Sequence, residues 1–191
     1  MEKKISTTGG ISWVIILHLI CTFGHKVIAS KYRTNFTSQE HHDDTILNEI
    51  AKLTKRDILI VLGDFIFDSP KYDYYIQEFN KMPCRIKVIM GNHDSLKLYN
   101  EDRFEIQLPF YSYKNMWLSH CPIHPQEMRG KIGNIHGHLH GNIVTKSSIK
   151  SLYNGLAHET IEIPDKKYFN VNIENNDYKV IPLDTIKEYF K

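Results

Sequence analysis

Four short polar clusters occur in a fixed order along this chain, and each follows a stretch with the pattern of a buried strand. They are Gly63-Asp64, Gly91-Asn92-His93-Asp94, His120 and Gly137-His138-Leu139-His140. Together they supply carboxylate, amide and imidazole groups, the mixed oxygen and nitrogen ligand set that suits hard-to-borderline divalent metals. The four clusters therefore predict a divalent metal site.

The first two clusters differ in how specific they are. Asp64 follows a strand and a glycine, which places it at the carboxyl edge of a sheet, although a lone aspartate there could equally cap the next helix. The second cluster is more specific. Asn92 offers a neutral carbonyl ligand, His93 can donate a proton, and the Asp94 carboxylate can orient that imidazole.

The last cluster places two histidines two residues apart. On an extended segment this spacing directs both rings to the same side, and the flanking Gly137 and Gly141 let the backbone approach a metal closely. We therefore interpret His138 and His140 as metal ligands rather than as core or surface residues. His120 would be unremarkable alone, but it follows a short apolar stretch as the other clusters do.

The elements that must position these clusters follow an α/β pattern. Residues 42–53 have apolar positions at helical spacing, and residues 57–62 form a continuous apolar run that ends at a glycine. A second helix that begins near Pro70 and a second buried strand, Arg85–Met90, repeat this unit. The chain from Phe104 onward is richer in strands, including predicted strands over 115–119 and 131–135.

The carboxyl-terminal part is predicted to contain a hairpin and a helix. Tyr168–Ile173 and Tyr178–Ile181 flank Asn175-Asn176-Asp177, which has the composition of a hairpin turn, and Leu183–Phe190 has the pattern of a short helix. No internal repeat or linker divides the sequence, so we predict a single domain over residues 1–191.

Composition excludes several classes of protein. Basic and acidic residues nearly cancel, 24 against 22, so neither a sequence-independent nucleic-acid binder nor a membrane-surface protein is indicated. Cys21, Cys84 and Cys121 are odd in number and form no CxxC pair, which indicates neither a disulfide framework nor a zinc knuckle. We expect a cytoplasmic protein, and its oligomeric state is open.

The amino terminus partly imitates a secretory signal. Basic residues precede an apolar run, Ile11–Phe23, and small residues follow it before Ser30. However, His18 interrupts the run and His25 places polar bulk before the cleavage site, and the run is too short to span a bilayer. We interpret this segment as a buried first strand in preference to an export signal.

The series Gly-Asp, Gly-Asn-His-Asp, Ser-His and Gly-His-Leu-His resembles the calcineurin-like metallophosphoesterase family, in particular its small bacterial and bacteriophage members. The resemblance runs from about His25 to the carboxyl terminus. It implies a four-layer α/β/β/α sandwich with two divalent metal ions, manganese, iron or zinc, at the loop edge of the sheets. It also implies hydrolysis of a small phosphomonoester, phosphodiester or nucleotide by metal-activated water.

The resemblance further implies a role for each cluster. One metal site would take four ligands, Asp64, Asn92, His120 and His138. Asp64 would bridge to the second ion, to which His140 would also belong. His93 would protonate the leaving oxygen or stabilise the charged transition state, and Asp94 would hold its imidazole in place.

The first motif of that family is missing here. Asp-x-His is expected before Phe23-Gly24-His25, but Ile20-Cys21-Thr22 stands there. The second metal site therefore keeps only Asp64 and His140, unless Cys21, His18 or His25 substitutes. We expect about one bound ion rather than two and impaired hydrolysis. The alternative is a catalytically silent relative that binds a nucleotide or a protein.

The coding DNA offers one explanation for the missing motif. If the codon of Leu19 ends in G, the next three codons read one base out of phase can spell Asp, a variable residue and His. A single-base insertion or sequencing error and an evolved loss of the motif are therefore both compatible with this sequence. The coding DNA around residues 15–25 distinguishes them.

Overall fold

The computed structural model describes residues 15–18, 22–25, 27, 31, 33–152, 155 and 157–191. The helices in this part of the chain are α1 (Gln39–Ile50), α2 (Tyr72–Lys81) and α3 (Leu183–Tyr189). The strands are β1 (Ile15–His18), β2 (Ile58–Leu62), β3 (Arg85–Ile89), β4 (Phe104–Gln107), β5 (Phe110–Tyr113), β6 (Met116–Ser119), β7 (Gly133–His136), β8 (Thr145–Leu152), β9 (Ala157–Pro164), β10 (Tyr168–Asn170) and β11 (Ile181–Pro182).

These strands form two mixed sheets and one hairpin. The first sheet has the order β11-β1-β2-β3-β4, in which β1 to β4 are parallel and β11 is antiparallel to β1. The second sheet has the order β10-β7-β6-β5, in which only β5 runs antiparallel to its neighbour. Strands β8 and β9 pair with each other. The architecture confirms the predicted α/β class.

Strand β2 shows how the layers stack, because successive side chains of a strand point to opposite faces. Leu59 and Val61 lie in a core cluster with apolar residues of α1 and α2. Ile60 and Leu62 lie in a second cluster with residues of β6 and β7. The first sheet is therefore buried between the helices on one side and the second sheet on the other.

The four-layer detail of the predicted sandwich is not confirmed. On the outer face of the second sheet, the described residues provide a small cluster of Ile123, Met128 and Tyr168. The nearby regular element is a single 3-10 turn, Pro125–Met128. Helix, sheet and sheet are thus the three layers that the described part of the chain contains.

The predicted helices and strands of the first half are confirmed with shifted ends. Helix α1 begins three residues earlier than predicted because Ser38 caps it, with the Ser38 side chain accepting from the His41 N–H at 3.1 Å. The strand predicted at the amino terminus is present as β1, between β11 and β2. Ile20 and Cys21 lie outside the described residues.

The predicted hairpin near the carboxyl terminus is wrong. Strand β10 pairs with β7 in the second sheet, whereas β11 pairs with β1 in the first. The 3-10 turn Ile173–Asn176 lies between them. This segment therefore connects the two sheets instead of folding back on itself, and it brings Glu174 towards the loop edge.

No helix among the described residues is both long enough and apolar enough to cross a bilayer.

His136 at the end of β7 is expected to make the stability of the fold depend on pH. The side chain is fully buried, its Nδ1 donates to the Gly137 carbonyl oxygen at 2.8 Å, and burial lowers its pKa to about 4. Between pH 4 and the ordinary value of 6.5 the unfolded chain binds a proton that the folded chain does not. The free energy of unfolding should therefore fall by up to about 3 kcal/mol as the pH falls through this window.

Urea unfolding at pH 7 and pH 5 measures this dependence. His136→Phe should lose that part of the pH dependence, whereas His158→Phe, a change at an exposed histidine of β9, should keep it. An identical pH dependence in His136→Phe and the parent would contradict the prediction.

Candidate metal centre

Four predicted ligands follow four strands, and three of them have a ligand atom within 3.5 Å of the Nε2 atom of the fourth, His120. Asp64 follows β2 and Asn92 follows β3, while His120 follows β6 and His138 follows β7. The Nε2 atom of His120 lies 2.9 Å from Asn92 Oδ1, 3.1 Å from His138 Nδ1 and 3.5 Å from Asp64 Oδ1. The structure thus brings the predicted ligands of one metal site together from both sheets.

The hydrogen bonds of His120 determine the chemical character of its Nε2 atom. His120 Nδ1 donates to the Leu62 carbonyl oxygen at 2.8 Å, which leaves the lone pair of a neutral ring on Nε2. Burial lowers the pKa of His120, although the nearby Asp64 carboxylate raises it. A nitrogen lone pair, an amide oxygen and a carboxylate oxygen therefore converge, and a cation between them satisfies all three.

The separations between His120 Nε2 and its three neighbouring ligand atoms have the size expected around a divalent ion. Ligand atoms that each lie about 2.0–2.2 Å from one ion are about 3 Å from their neighbours. The observed separations of 2.9, 3.1 and 3.5 Å have this size. The residues present therefore fit the metal that this ligand set predicts.

Two glycines leave the space that His120 and Asp64 need in order to lie close to each other. A Cβ atom on Gly63 would lie 2.2 Å from His120 Nδ1, and Gly63 also has a φ of +94°. A Cβ atom on Gly91 would lie 2.4 Å from Asp64 Oδ1 and 2.9 Å from His120 Cε1. No side chain fits at either position while His120 and Asp64 keep their places.

Several residues of the centre have an uncommon backbone conformation. Asp64, His138 and His140 have φ values of 49°, 65° and 51°, and Thr22 has a φ of 45°. Positive φ is unfavourable for residues other than glycine and is often found where a fold holds functional groups in place. The surrounding structure therefore holds these residues at a conformational cost.

His93 lies beside the centre without being one of its converging ligands. Its backbone N–H donates to Asp64 Oδ1 at 3.0 Å, and its exposed imidazole faces His25, with 6.1 Å between the ring centroids. An exposed imidazole next to the ligand carboxylate is placed where it can reach a bound substrate. Its catalytic role stays a prediction.

Asp94 makes different contacts from the predicted one with the His93 ring. Its carboxylate accepts backbone N–H groups of Gly91 at 2.7 Å, Phe65 at 2.5 Å and Ile66 at 3.1 Å. Burial raises the pKa of Asp94 to about 6 in spite of these hydrogen bonds. Asp94 therefore ties the loop after β2 to the loop after β3.

Cys121 is a candidate ligand that the sequence analysis missed. One ligand atom from each of His120, Cys121 and His138 lies within 4.8 Å of the others. The absence of a CxxC pair led the sequence analysis away from this thiol. Its position next to His120 was the signal that could have found it.

The second metal site is incomplete in the structure as well. Thr22, which stands where the family motif has histidine, is buried, and its Oγ1 accepts from Arg33 Nη1 at 3.3 Å. His140 Nδ1 lies 3.1 Å from Glu174 Oε1. In the described part of the chain, the one cluster of three or more potential metal-binding side chains belongs to the first site.

The possible substitutes for the missing ligands are only partly described. His25 is half-buried, its Nδ1 accepts from the Val27 N–H at 3.3 Å, and burial lowers its pKa. Cys21 and the side chain of His18 lie outside the described residues. The residues described for the second site do not by themselves fit an ion.

Comparison with known proteins identifies the family. The family model for calcineurin-like phosphoesterases matches residues 37–184, which include all four predicted ligands of the first site. The chain belongs to the calcineurin-like phosphoesterase family. Metal-dependent hydrolysis of phosphoesters is the general activity of this family.

Solved structures that this chain resembles have low sequence identity to it. A crystal structure of a protein of unknown function from Aquifex aeolicus has a TM-score of 0.67 and 24% identity, covering 93% of this chain and 99% of that one. The Pseudomonas putida nuclease MPE has a TM-score of 0.45 and 16% identity, covering 78% of this chain and 67% of that one. No curated protein matches significantly.

Proposed function

We propose that this member of the family hydrolyses a small phosphomonoester or phosphodiester with the help of a divalent metal ion, and that the incomplete second site limits its rate. The position of Asp64 Oδ1, Asn92 Oδ1 and His138 Nδ1 around His120 Nε2 carries this proposal. The His120 lone pair and the oxygens of Asn92 and Asp64 are all acceptors, and a cation between them would offset the cost of placing them together.

The residues of the centre have separable tasks. Asp64, Asn92, His120 and His138 would hold the ion. A divalent ion in this position supplies charge stabilisation to a phosphate and lowers the pKa of water. Gly63 and Gly91 leave the space that the ligands occupy, and Asp94 holds the two loops in register. Manganese, iron and zinc all suit this ligand set, and Cys121 nearby would favour the softer zinc or iron.

We assign proton donation to His93. A phosphoester cleaves more easily when the leaving oxygen receives a proton as the bond breaks, and an imidazole titrates in the right range for this task. His93 is exposed beside Asp64, so a phosphate at the centre would lie within its reach.

His93→Ala should lower turnover by about 10²–10⁴-fold and leave the metal content unchanged, because positioned acid–base groups typically contribute this much. Hydrolysis of p-nitrophenyl phosphate and bis-p-nitrophenyl phosphate, beside metal analysis after dialysis, measures both quantities. His158→Ala serves as the control because this histidine is exposed on β9. Equal turnover in His93→Ala and the parent would remove the proposed role.

The same assay tests the proposed function as a whole. Added manganese should produce measurable hydrolysis of one or both substrates, and a chelator should abolish it. A protein that binds the metal but hydrolyses neither substrate at any manganese concentration would favour the alternative, a catalytically silent relative that works by binding. We propose a small phosphoester or a nucleotide as the substrate, since the near-balanced charge does not indicate a long polyanion.

A further inference from the structure

A chain of buried and half-buried polar side chains runs from the helices to the last histidine cluster. It joins residues from α1, α2, the segment before α1, the 3-10 turn between the sheets and the last histidine cluster. In order, its members are Tyr75, Asp43, His42, Arg33, Glu174 and His140. The sequence analysis singled out only the last of them.

Arg33 determines the direction of the hydrogen bonds that it makes with His42 and Glu174. Its side chain is fully buried, and a guanidinium can only donate. His42 Nε2, which contacts Arg33 Nη1, must therefore accept, so the proton of the neutral ring lies on Nδ1. That Nδ1 donates to Asp43 Oδ1 at 2.8 Å. Burial lowers the pKa of His42, which agrees with a neutral ring.

Glu174 lies between Arg33 and His140, which both contact the same carboxylate oxygen. Arg33 Nε donates to Glu174 Oε1 at 3.1 Å, and His140 Nδ1 lies 3.1 Å from the same oxygen. The side chain of Glu174 is 15% exposed, and its salt bridge to Arg33 compensates its charge. An ionised carboxylate can only accept, so His140 Nδ1 must carry a proton.

This assignment has a direct consequence for the centre. When Nδ1 of a neutral imidazole carries the proton, the lone pair lies on Nε2, the nitrogen on the opposite side of the ring. Which nitrogen of a histidine binds a metal is set by the hydrogen bond that the other nitrogen makes. The contact with Glu174 therefore sets which nitrogen of His140 can bind an ion or contact a phosphate.

We propose that Glu174, clamped by Arg33, is a positioning residue that fixes His140 in the Nδ1–H tautomer, so that Nε2 is the nitrogen that His140 can offer to an ion or a phosphate. The tautomer follows from the hydrogen bonds alone. The inference that this tautomer matters at the metal centre rests on the proposed function. Because Arg33 also donates to Thr22 Oγ1, one buried guanidinium connects the degenerate first motif to the last histidine cluster.

The tautomer of His140 can be measured on the full chain without metal or substrate. Two-bond ¹H–¹⁵N spectra of the imidazole rings distinguish the Nδ1–H from the Nε2–H form, and His140→Gln identifies the signals of His140. We expect the Nδ1–H form in the parent. Glu174→Leu, which removes the acceptor, should lose it, and Glu174→Gln, which retains an acceptor oxygen, should largely keep it.

A second measurement tests the use of this tautomer. The manganese concentration for half-maximal hydrolysis of bis-p-nitrophenyl phosphate should rise about 10–100-fold in Glu174→Leu, the usual effect of losing a partner of a metal ligand. Glu127→Leu, at an exposed acid paired with Arg129, should leave it unchanged. A merely structural role would alter thermal stability without this selective change.

Two results would overturn the inference. The first is an Nε2–H tautomer of His140 in the parent protein, a measurement that needs no variant to fold. The second is an unchanged tautomer in a folded Glu174→Leu variant. Since the spectra are recorded without metal or substrate, they are independent of whether the chain hydrolyses phosphoesters, and failure of the proposed function is recognised separately by the hydrolysis assay.

Discussion

Replacement of Asp64 by asparagine is expected to abolish both the tightly held metal ion and hydrolysis. Asp64 is the carboxylate among the four converging ligands and is almost fully buried. Without its negative charge, only neutral ligands would offset the free-energy cost of removing water from a divalent cation. Asparagine keeps a carbonyl oxygen that can accept the His93 N–H, so the loop after β3 should keep its conformation.

Metal analysis after exhaustive dialysis decides this prediction. The parent should retain about one equivalent of divalent metal, and Asp64→Asn should retain close to none. Asp68→Asn is the matched control, since Asp68 lies on the same stretch but is exposed and pairs with Lys97. Full metal retention in Asp64→Asn would show that the ion, if any, is bound elsewhere.

The double substitution Ile20→Asp and Thr22→His is expected to add a second equivalent of metal and to raise turnover by at least about 100-fold. A further ion contributes several kcal/mol of charge stabilisation in the transition state, and about 1.4 kcal/mol corresponds to a tenfold change in rate. Thr22 is suitably placed, because its backbone N–H donates to the Asp64 carbonyl oxygen at 2.8 Å. His140 and Asp64 are the existing groups that the new side chains would join.

The single substitutions separate the contribution of the carboxylate from that of the imidazole. Ile20→Asp alone should raise metal binding more than Thr22→His alone, since it supplies charge as well as a ligand. If the parent already retains two ions and hydrolyses bis-p-nitrophenyl phosphate rapidly, then Cys21, His18, His25 or another group replaces the missing motif, and the interpretation of an impaired second site is wrong. The coding DNA around residues 15–25 shows whether the motif was lost by a single-base change.

Local patterns were sufficient for the first half of the fold. Apolar spacing placed α1, a continuous apolar run placed β2, and a second apolar stretch that ends at a glycine placed β3, because such patterns reflect which faces of an element are buried. The helix start was missed by three residues because it depends on one hydrogen bond from Ser38. Hairpin β8–β9 was not predicted, since its strands are largely exposed and have no strong apolar alternation.

The predicted hairpin after Tyr168 failed for a different reason. The turn composition of Asn175-Asn176-Asp177 indicated correctly that the chain leaves a strand there. Composition carries no information about the partner of each strand, because pairing depends on which edges the rest of the fold leaves open. Strands β10 and β11 therefore joined different sheets.

The sequence by itself predicted which side chains would lie together at the loop edge of the sheets. Each ligand comes with its own local signal, a strand that ends at a glycine or a histidine cluster, and parallel strands bring their carboxyl ends to the same edge. The same argument predicted His93 beside the centre. The sequence did not predict the contacts of Asp94, because only the folded loops show which backbone N–H groups lie within reach of its carboxylate.

The tertiary structure alone decided the surroundings of His140. Arg33 and Glu174 are 141 positions apart, and neither has a sequence pattern that indicates the other. They meet because the turn between β10 and β11 crosses from one sheet to the other beside the segment before α1. A buried guanidinium and a buried carboxylate lower each other's cost of desolvation only when the fold places them in contact, and no local pattern encodes that contact.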